Sequence, residues 1–310
     1  MRIGIFVGSM GSAPDLEGQV QQVVNAERDG FDSFWSAQVM GMDALTLFAL
    51  AGQRTGSIEI GTAVIPIYLR HPLALAQQAL TTQAACGGRL SLGIGLAHKR
   101  TVEGYFGLSF ERPASRMVEY LSVTRCLLEE GTVDLSGEFY RVNATIQRPE
   151  GPSPPILIAA LGPRMLRTAG QSAGGTITWM VGPRTVREHI SPRIRAAAEA
   201  TGRPAPRVCV GVPIAVTDDG AAARAQAHEY FHRYGELPSY RRMLDIEGVD
   251  GPADVAVIGD EAAVEAQLRC LADAGATDLL VSVFPVGRNA QASVARTREL
   301  LASLVGKITG

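Results

Sequence analysis

The chain has 310 residues, 46% of them hydrophobic, which is enough material for one large core. Its formal net charge is -2 and the two signs are mixed along the chain, so neither a nucleic acid nor an anionic membrane is expected as a partner. No apolar run reaches the ~18 residues of a membrane span, and Arg2–Val7 reads as a strand with no signal-like segment before it, so a cytoplasmic protein is expected.

In chain order, Ile3–Val7 reads as the first strand. Val20–Ala26 has helical spacing, turns at Arg28-Asp29-Gly30 and leads into a strand at Phe31–Trp35. Ile58–Val64 is a third strand. Leu73–Ala85 is a helix closed by Gly87-Gly88 and followed by Leu90–Ile94. The long stretch Tyr105–Ile146 carries a helical section, Ser115–Glu130, and then Gly137-Glu138-Phe139-Tyr140. Ile156–Ala160 is the next strand. Met165–Ala173, Gly174-Gly175 and Thr176–Met180 repeat the unit, and Val208–Val216 is a further strand. Ala221–Val255 is a second long insertion, rich in Tyr, Phe, His and Arg. Val264–Ala274, Gly275 and Leu279–Phe284 close the series.

Each repeat is a helix ended by a small-residue turn and followed by a buried strand. Strands that alternate with helices imply a parallel sheet. Eight such units favour a (β/α)8 barrel, an α/β TIM barrel with insertions in its βα loops, over an open doubly wound sheet, which the pattern alone leaves open. Ile3–Val7 would close it against Leu279–Phe284. Residues 1–310 read as one domain with insertions at about 105–146 and 221–255. Such insertions serve as lids or subunit contacts. Phe231, Tyr234, Tyr240 and Met243 would either cover a substrate or simply pack the second insertion down. Cys86, Cys126, Cys209 and Cys270 are scattered without a C-x-x-C pair, as in a reduced protein with no metal or redox motif.

In a barrel the chemistry sits just beyond the C-terminal strand ends. Those positions hold Gly8-Ser9-Met10-Gly11-Ser12, Ser36-Ala37-Gln38, the run Ile65–Pro72, Gly95–Arg100, Leu161–Arg164, Val181–Arg184 and Pro285–Arg288. They offer no facing carboxylates, no nucleophile elbow and no metal-ligand spacing. They are rich in Gly, apolar residues and Arg, which suits a flat apolar ring with an anionic tail. Gly162-Pro163-Arg164 is the clearest anion site, since a helix N-terminus offers free N–H groups and Arg164 adds charge. The competing reading is an ordinary helix start with a solvated arginine, and Gly182-Pro183-Arg184 repeats the same local form.

Several motifs together carry a resemblance. Gly61-Thr62-Ala63-Val64, Arg70-His71-Pro72 and Gly88-Arg89-Leu90-Ser91-Leu92-Gly93-Ile94-Gly95 resemble the luciferase-like monooxygenase family. Ala159–Leu166 and Gly175-Thr176-Ile177-Thr178-Trp179 resemble in particular its deazaflavin (coenzyme F420) branch. The resemblance runs from Arg2 to about Val216 and resumes at Val257–Val283. It implies a homodimeric barrel with F420, or alternatively FMN, in its mouth. It also implies a non-proline cis peptide at Ala63–Val64 under one face of the ring. Thr62, Ala160 and Met180 would complete that neighbourhood. Gly95, Leu96, Ala97 and His98 would lie near the ring, and Leu161, Gly162, Pro163 and Arg164 would hold the phosphate.

One departure matters. Many deazaflavin members carry Asp-His after the second strand, where this chain has Ala37-Gln38. Gln38 forms hydrogen bonds but does not titrate. His98, Glu103 and Tyr68 are the other candidates for acid–base work, and His98 has an ordinary pKa near neutrality. His71 reads as a helix start, and His189, His228 and His232 read as surface or lid residues. The reading is an F420-dependent oxidoreductase that passes a hydride between cofactor and a small organic substrate. The alternatives are an FMN-dependent monooxygenase fed by a partner reductase, and a non-catalytic cofactor-binding protein.

Overall fold

The computed structural model describes residues 1–8 and 15–309. Ser9, Met10, Gly11 and Ser12, named above after the first strand, lie outside them. The elements run β1 (Arg2–Val7), α1 (Leu16–Arg28), β2 (Ser33–Ser36), α2 (Ala44–Gly52), β3 (Glu59–Thr62), β4 (Ile65–Pro66), α3 (Pro72–Ala85) and β5 (Leu90–Gly95). Next come α4 (Lys99–Gly104), α5 (Pro113–Glu129), β6 (Thr132–Ser136), β7 (Arg141–Thr145), β8 (Ile156–Ala159), α6 (Pro163–Ser172), β9 (Gly175–Trp179) and α7 (Pro183–Thr185). The chain ends with α8 (Ser191–Glu199), β10 (Arg207–Val216), α9 (Gly220–Phe231), α10 (Pro238–Glu247), β11 (Val257–Gly259), α11 (Glu261–Asp273), β12 (Asp278–Val283) and α12 (Ala290–Leu304).

Eight strands form a closed parallel ring in the order β1-β2-β3-β5-β8-β9-β10-β12. The ring is a (β/α)8 barrel, and the predicted strands sit within two residues of the observed ones at their starts and ends. The expected closing pair is present, with Ile3 opposite Leu279 and Ile5 opposite Val281. Two short strands were not anticipated in the sheet. β4 pairs with the end of β5, and β11 pairs with the end of β10. Both are too short to show a period.

The ring strands are buried on both faces, which is why they read as near-continuous apolar runs. Inside the ring, Trp35, Leu157, Ile177, Cys209 and Leu280 form a plug, with Phe6, Ala63 and Val64 packed against it. Outside it, Ile3, Phe34, Ile60, Leu90, Ile158 and Val210 meet the helices. Polar caps start those helices: Asp15 accepts from Gly18 N–H, Asp43 from Thr46 N–H and Asp260 from Ala263 N–H. After α3, Gly88 takes φ +86° and its N–H reaches the Gln83 carbonyl at 2.9 Å, a left-handed stop that glycine adopts without a Cβ penalty.

The two long stretches resolve differently from their sequence reading. Ser115–Glu130 is no insertion, because α5 packs between α3 and α6 in the outer ring of helices. What is inserted there is the antiparallel hairpin β6–β7, with Thr132 opposite Thr145. In the second stretch, α9 and α10 pack over a separate apolar cluster that includes Met180, Phe231, Leu244, Ile258 and Phe284. Met243 belongs to the main core instead.

Candidate active site

At the C-terminal end of β3 the chain makes a cis peptide between Ala63 and Val64, at the position expected. The bulge is held from below. Thr62 Oγ1 donates to Gly93 O and accepts from Gly93 N–H, both at 2.8 Å, which locks β3 to β5. Thr62 is fully buried. It therefore anchors the bulge and does not face the opening.

Above the bulge lies a cavity of about 810 Å³, within the usual range for a cofactor or substrate site. Ala63 and Val64 form part of its wall. Leu96, Ala97 and His98 come from the loop after β5, and Ala160, Leu161 and Gly162 from the loop after β8. The strand ends add Ile177, Thr178 and Trp179, and the second insertion adds Leu237, Pro238, Ser239 and Tyr240. Ala97 takes φ +56°, a left-handed turn uncommon for a non-glycine residue, and lies at the wall of the site. Lys99, Arg100 and Glu103 of α4 stand at the rim.

The cavity brings together some of the sequence candidates and leaves others elsewhere. His98 lines it and stands with its ring centroid 5.8 Å from that of Tyr240. Burial lowers its pKa below the ordinary 6.5. Glu103 is there too, 46% exposed, with its carboxylate 3.9 Å from Lys99 Nζ. Gln38 is not part of the cavity wall; its Oε1 accepts the Ala44 N–H at 2.8 Å and so helps to start α2. Tyr68 lies in a neighbouring pocket, stacked on Phe110 at 5.8 Å. Gly95 sits behind Val64, Pro163 is the first residue of α6, and Met180 is buried beneath the second insertion. Arg164 donates to Ser115 Oγ at 2.8 Å, at the exposed start of α6.

Several contributors escaped the sequence reading. Trp179 is gripped edge-on by Phe6, Phe231 and Tyr234 at 5.2, 6.1 and 6.1 Å. Phe110 and Pro113 enter from the segment before α5. His189, read as a surface residue, is buried, and its Nε2 donates to the Leu161 carbonyl at 2.7 Å. A π-helical turn at Val186–Ile190 turns it inward. His71 caps α3 as expected, accepting the Leu73 N–H through Nδ1.

These residues fit a planar ring with an anionic tail. The inner wall is apolar, with Ala63, Val64, Leu96, Ala160 and Ile177. A Cβ on Gly95 would come within 2.4 Å of Val64 Cγ2, so only a glycine lets β5 approach the bulge this closely. Cations stand at the opening in Lys99 and Arg100, and Arg164 lies at the start of α6, held by Ser115. The first turn of α6 directs backbone N–H groups outward beside Gly162.

The family profile described as luciferase-like monooxygenase matches residues 1–278. A protein of Mycobacterium tuberculosis, provisionally named as coenzyme F420-dependent oxidoreductase Rv3520c, is 30% identical over 251 residues, covering 76% of this chain and 72% of that protein. The 5,10-methylenetetrahydromethanopterin reductase of Methanolobus tindarius is 27% identical, covering 89% of this chain and 84% of the reductase. Among solved structures, an F420-dependent secondary alcohol dehydrogenase in complex with an F420-acetone adduct superposes with TM-score 0.84 at 18% identity, covering 100% of this chain and 99% of the other. The oxygenating constituent of 3,6-diketocamphane monooxygenase of Pseudomonas putida, in complex with FMN, gives TM-score 0.75 at 16% identity, with 100% and 98% covered. At those identities the two structures speak for the fold alone. The family match spans most of the chain, and with the relatives at this identity it makes the chain a member of the luciferase-like monooxygenase family.

Proposed function

We propose that this chain is an F420-dependent oxidoreductase that transfers a hydride between the deazaflavin and a small organic substrate. The observation that carries this reading is the 810 Å³ cavity, with the Ala63–Val64 bulge in its wall and Lys99 and Arg100 at its rim. The choice of deazaflavin over FMN rests on the relatives named for F420. When bound, the cofactor supplies or accepts the hydride at its C5.

The protein's own residues do the rest. Ala63, Val64, Leu96 and Ile177 wall the ring and exclude water. Gly162 and Arg164 hold the phosphate at the start of α6. Tyr240 and Trp179 close the far side and orient the substrate. His98, neutral at pH 7 because burial disfavours its charged form, passes or polarises a proton at the substrate oxygen or nitrogen. Glu103, paired with Lys99, tunes the charge at the rim. Gln38 supports the reaction only through the loop that it pins.

The reading extends to assembly and location. Val39 and Met40 are exposed on the loop that follows β2, and Leu50 on α2 is exposed as well. A second copy of the chain would cover this face. No described helix is long and apolar enough to cross a membrane, and we place the enzyme in the cytoplasm.

The deciding experiment titrates the protein with F420 and, in parallel, with FMN, followed by fluorescence. Micromolar F420 binding with weak FMN binding, then anaerobic turnover on a panel of alcohols and activated double bonds, is expected. Preference for FMN and oxygen consumption with a reductase would move the chain to the monooxygenase reading. Tight F420 binding with no turnover on any acceptor would make it a binding protein.

A further inference from the structure

A second pocket, of about 280 Å³, lies beside the main cavity and is built from the loop after β4, the segment before α5, and Tyr140. Its wall toward the main cavity is the Tyr68–Phe110 stack, with Tyr68 facing one space and Phe110 the other. The central group is Arg116. Its guanidinium carbon stands 5.4, 4.5 and 6.0 Å from the ring centroids of Tyr68, Phe139 and Tyr140. Its Nε is buried without a hydrogen-bond partner.

Arg116 has no ion pair among the described residues, and the charges around it are already spent. Arg112 is paired with Glu138, Arg125 with Glu129 and Arg70 with Asp43. Glu119, one turn along α5, accepts the backbone N–H groups of Glu138, Phe139 and Tyr140 at 3.0, 2.7 and 3.0 Å. Those bonds tie the hairpin to α5 and leave Glu119 no call on Arg116. His71 uses Nδ1 as an acceptor, so its Nε2 carries the proton and remains a donor. Ile67, Leu69 and Leu108 supply apolar walls. A half-buried guanidinium set against three aromatic rings, one of which, Tyr140, also accepts a hydrogen bond from it, is oriented before any ligand arrives, which keeps the ordering cost of binding low.

We infer that this pocket binds a small monocarboxylate with an apolar body. Arg116 takes the carboxylate, His71 Nε2 or the Ser109 hydroxyl adds a hydrogen bond, and the aliphatic and tyrosine walls cover the body. The pocket offers one uncompensated positive charge, since Asp43 cancels Arg70. That matches a monoanion better than a phosphate dianion. The inference stands apart from the cofactor assignment, because the pocket shares no lining residue with the main cavity.

The test is a titration of the full chain, without cofactor, with 4-fluorobenzoate followed by fluorine NMR. Saturable binding is expected, weakened about tenfold or more in Arg116→Met and partly retained in Arg116→Lys. Thermal melts establish that the variants are folded. Leu108→Trp, a bulkier side chain at an exposed position of the pocket wall, is expected to block the probe. Absence of saturable binding, or equal binding by wild type and both Arg116→Met and Leu108→Trp, overturns the site. Competition by inorganic phosphate at equal concentration overturns the carboxylate preference. Displacement of the probe by F420 would place it in the main cavity and overturn the inference while leaving the proposed function standing.

Discussion

His189 Nε2 donates to the Leu161 carbonyl at 2.7 Å, so a side chain on the π-helical turn after β9 fixes the loop after β8. Leu161 lines the cavity and stands beside Gly162 at the start of α6. His189→Ala leaves a buried carbonyl without its donor, at a cost of ~1–3 kcal/mol. F420 affinity is expected to fall with stability, and His189→Gln, which still donates, should recover part of both. Burial first, and then the charges of Arg193 and Arg242, lower the His189 pKa despite the opposing Leu161 bond. The unfolded chain therefore takes up this proton at a higher pH than the folded one. Its contribution is intact above the ordinary value of ~6.5 and is lost as pH falls through the folded value. Urea midpoints measured from pH 7.5 to 5 should drop less steeply in His189→Gln than in wild type.

The contact between Gly95 and Val64 makes a second prediction. A Cβ at position 95 would lie 2.4 Å from Val64 Cγ2 and 3.2 Å from Ala159 Cβ. Gly95→Ala must push the bulge away from β5, with an overpacking cost of ~1–3 kcal/mol. It should lower the melting temperature modestly and weaken F420 binding about tenfold. Gly93→Ala is more severe, because its Cβ would meet the Thr62 carbonyl oxygen, a backbone atom, at 1.9 Å. A loss large enough to prevent soluble expression is expected there. Full F420 affinity in Gly95→Ala would detach the bulge from the binding site.

The barrel was legible because its strands are buried on both faces and its helices end at glycines, two signals that are local in sequence. The Ala63–Val64 bulge was legible only through the family resemblance, since no period or composition marks it. The role of α5 was misread because its distance from β5 looked like an insertion, whereas only its packing between α3 and α6 shows it to be part of the ring. His189 and Trp179 escaped for a related reason. Their partners are Leu161, Phe6 and Phe231, far away in sequence, so no spacing rule reaches them. Arg89 illustrates the same limit within a recognised motif. Its guanidinium donates to Thr55 Oγ1 and to the carbonyls of Gly52, Thr55 and Ile58, so it staples the α2–β3 turn and does not touch the cavity.

At the opposite end of the barrel, Arg207 joins the starts of three strands. It pairs with Asp278 at 2.5 Å and Glu59 at 2.8 Å, and Arg2 reaches both carboxylates. The Asp278 side chain is only 2% exposed. Arg207→Met strands that carboxylate in the core, and the loss should be ~3–5 kcal/mol. Burial pushes the Asp278 carboxyl up, but the hydrogen bonds and charge of Arg207, with help from Thr277 and Arg2, hold it below its ordinary value. Its stabilisation is therefore present above the unfolded value of ~3.9 and is lost as pH falls through the folded one. Acid unfolding monitored by circular dichroism should begin at a higher pH in Arg207→Met. F420 affinity at pH 7 and low temperature, where the variant is folded, should change little, because this cluster lies at the far end from the cofactor.

His98 carries the chemical prediction. It follows β5, caps α4 without a side-chain hydrogen bond, and meets Tyr240 across the mouth of the cavity. Desolvation is the cause that lowers its pKa, so the neutral ring is the working form at pH 7. Under the proposed function, kcat/KM should be level above ~6.5 and should fall at lower pH with a midpoint below that value. His98→Asn keeps a polar side chain but cannot carry the proton. It should lower kcat by about 10²-fold, leave F420 affinity within a few fold, and remove the acid limb. If the limb survives in His98→Asn, the titrating group lies elsewhere, and Glu103 at the rim is the next residue to replace, by Gln. If the limb is lost with kcat intact, His98 acts on binding of the substrate rather than on the proton it exchanges.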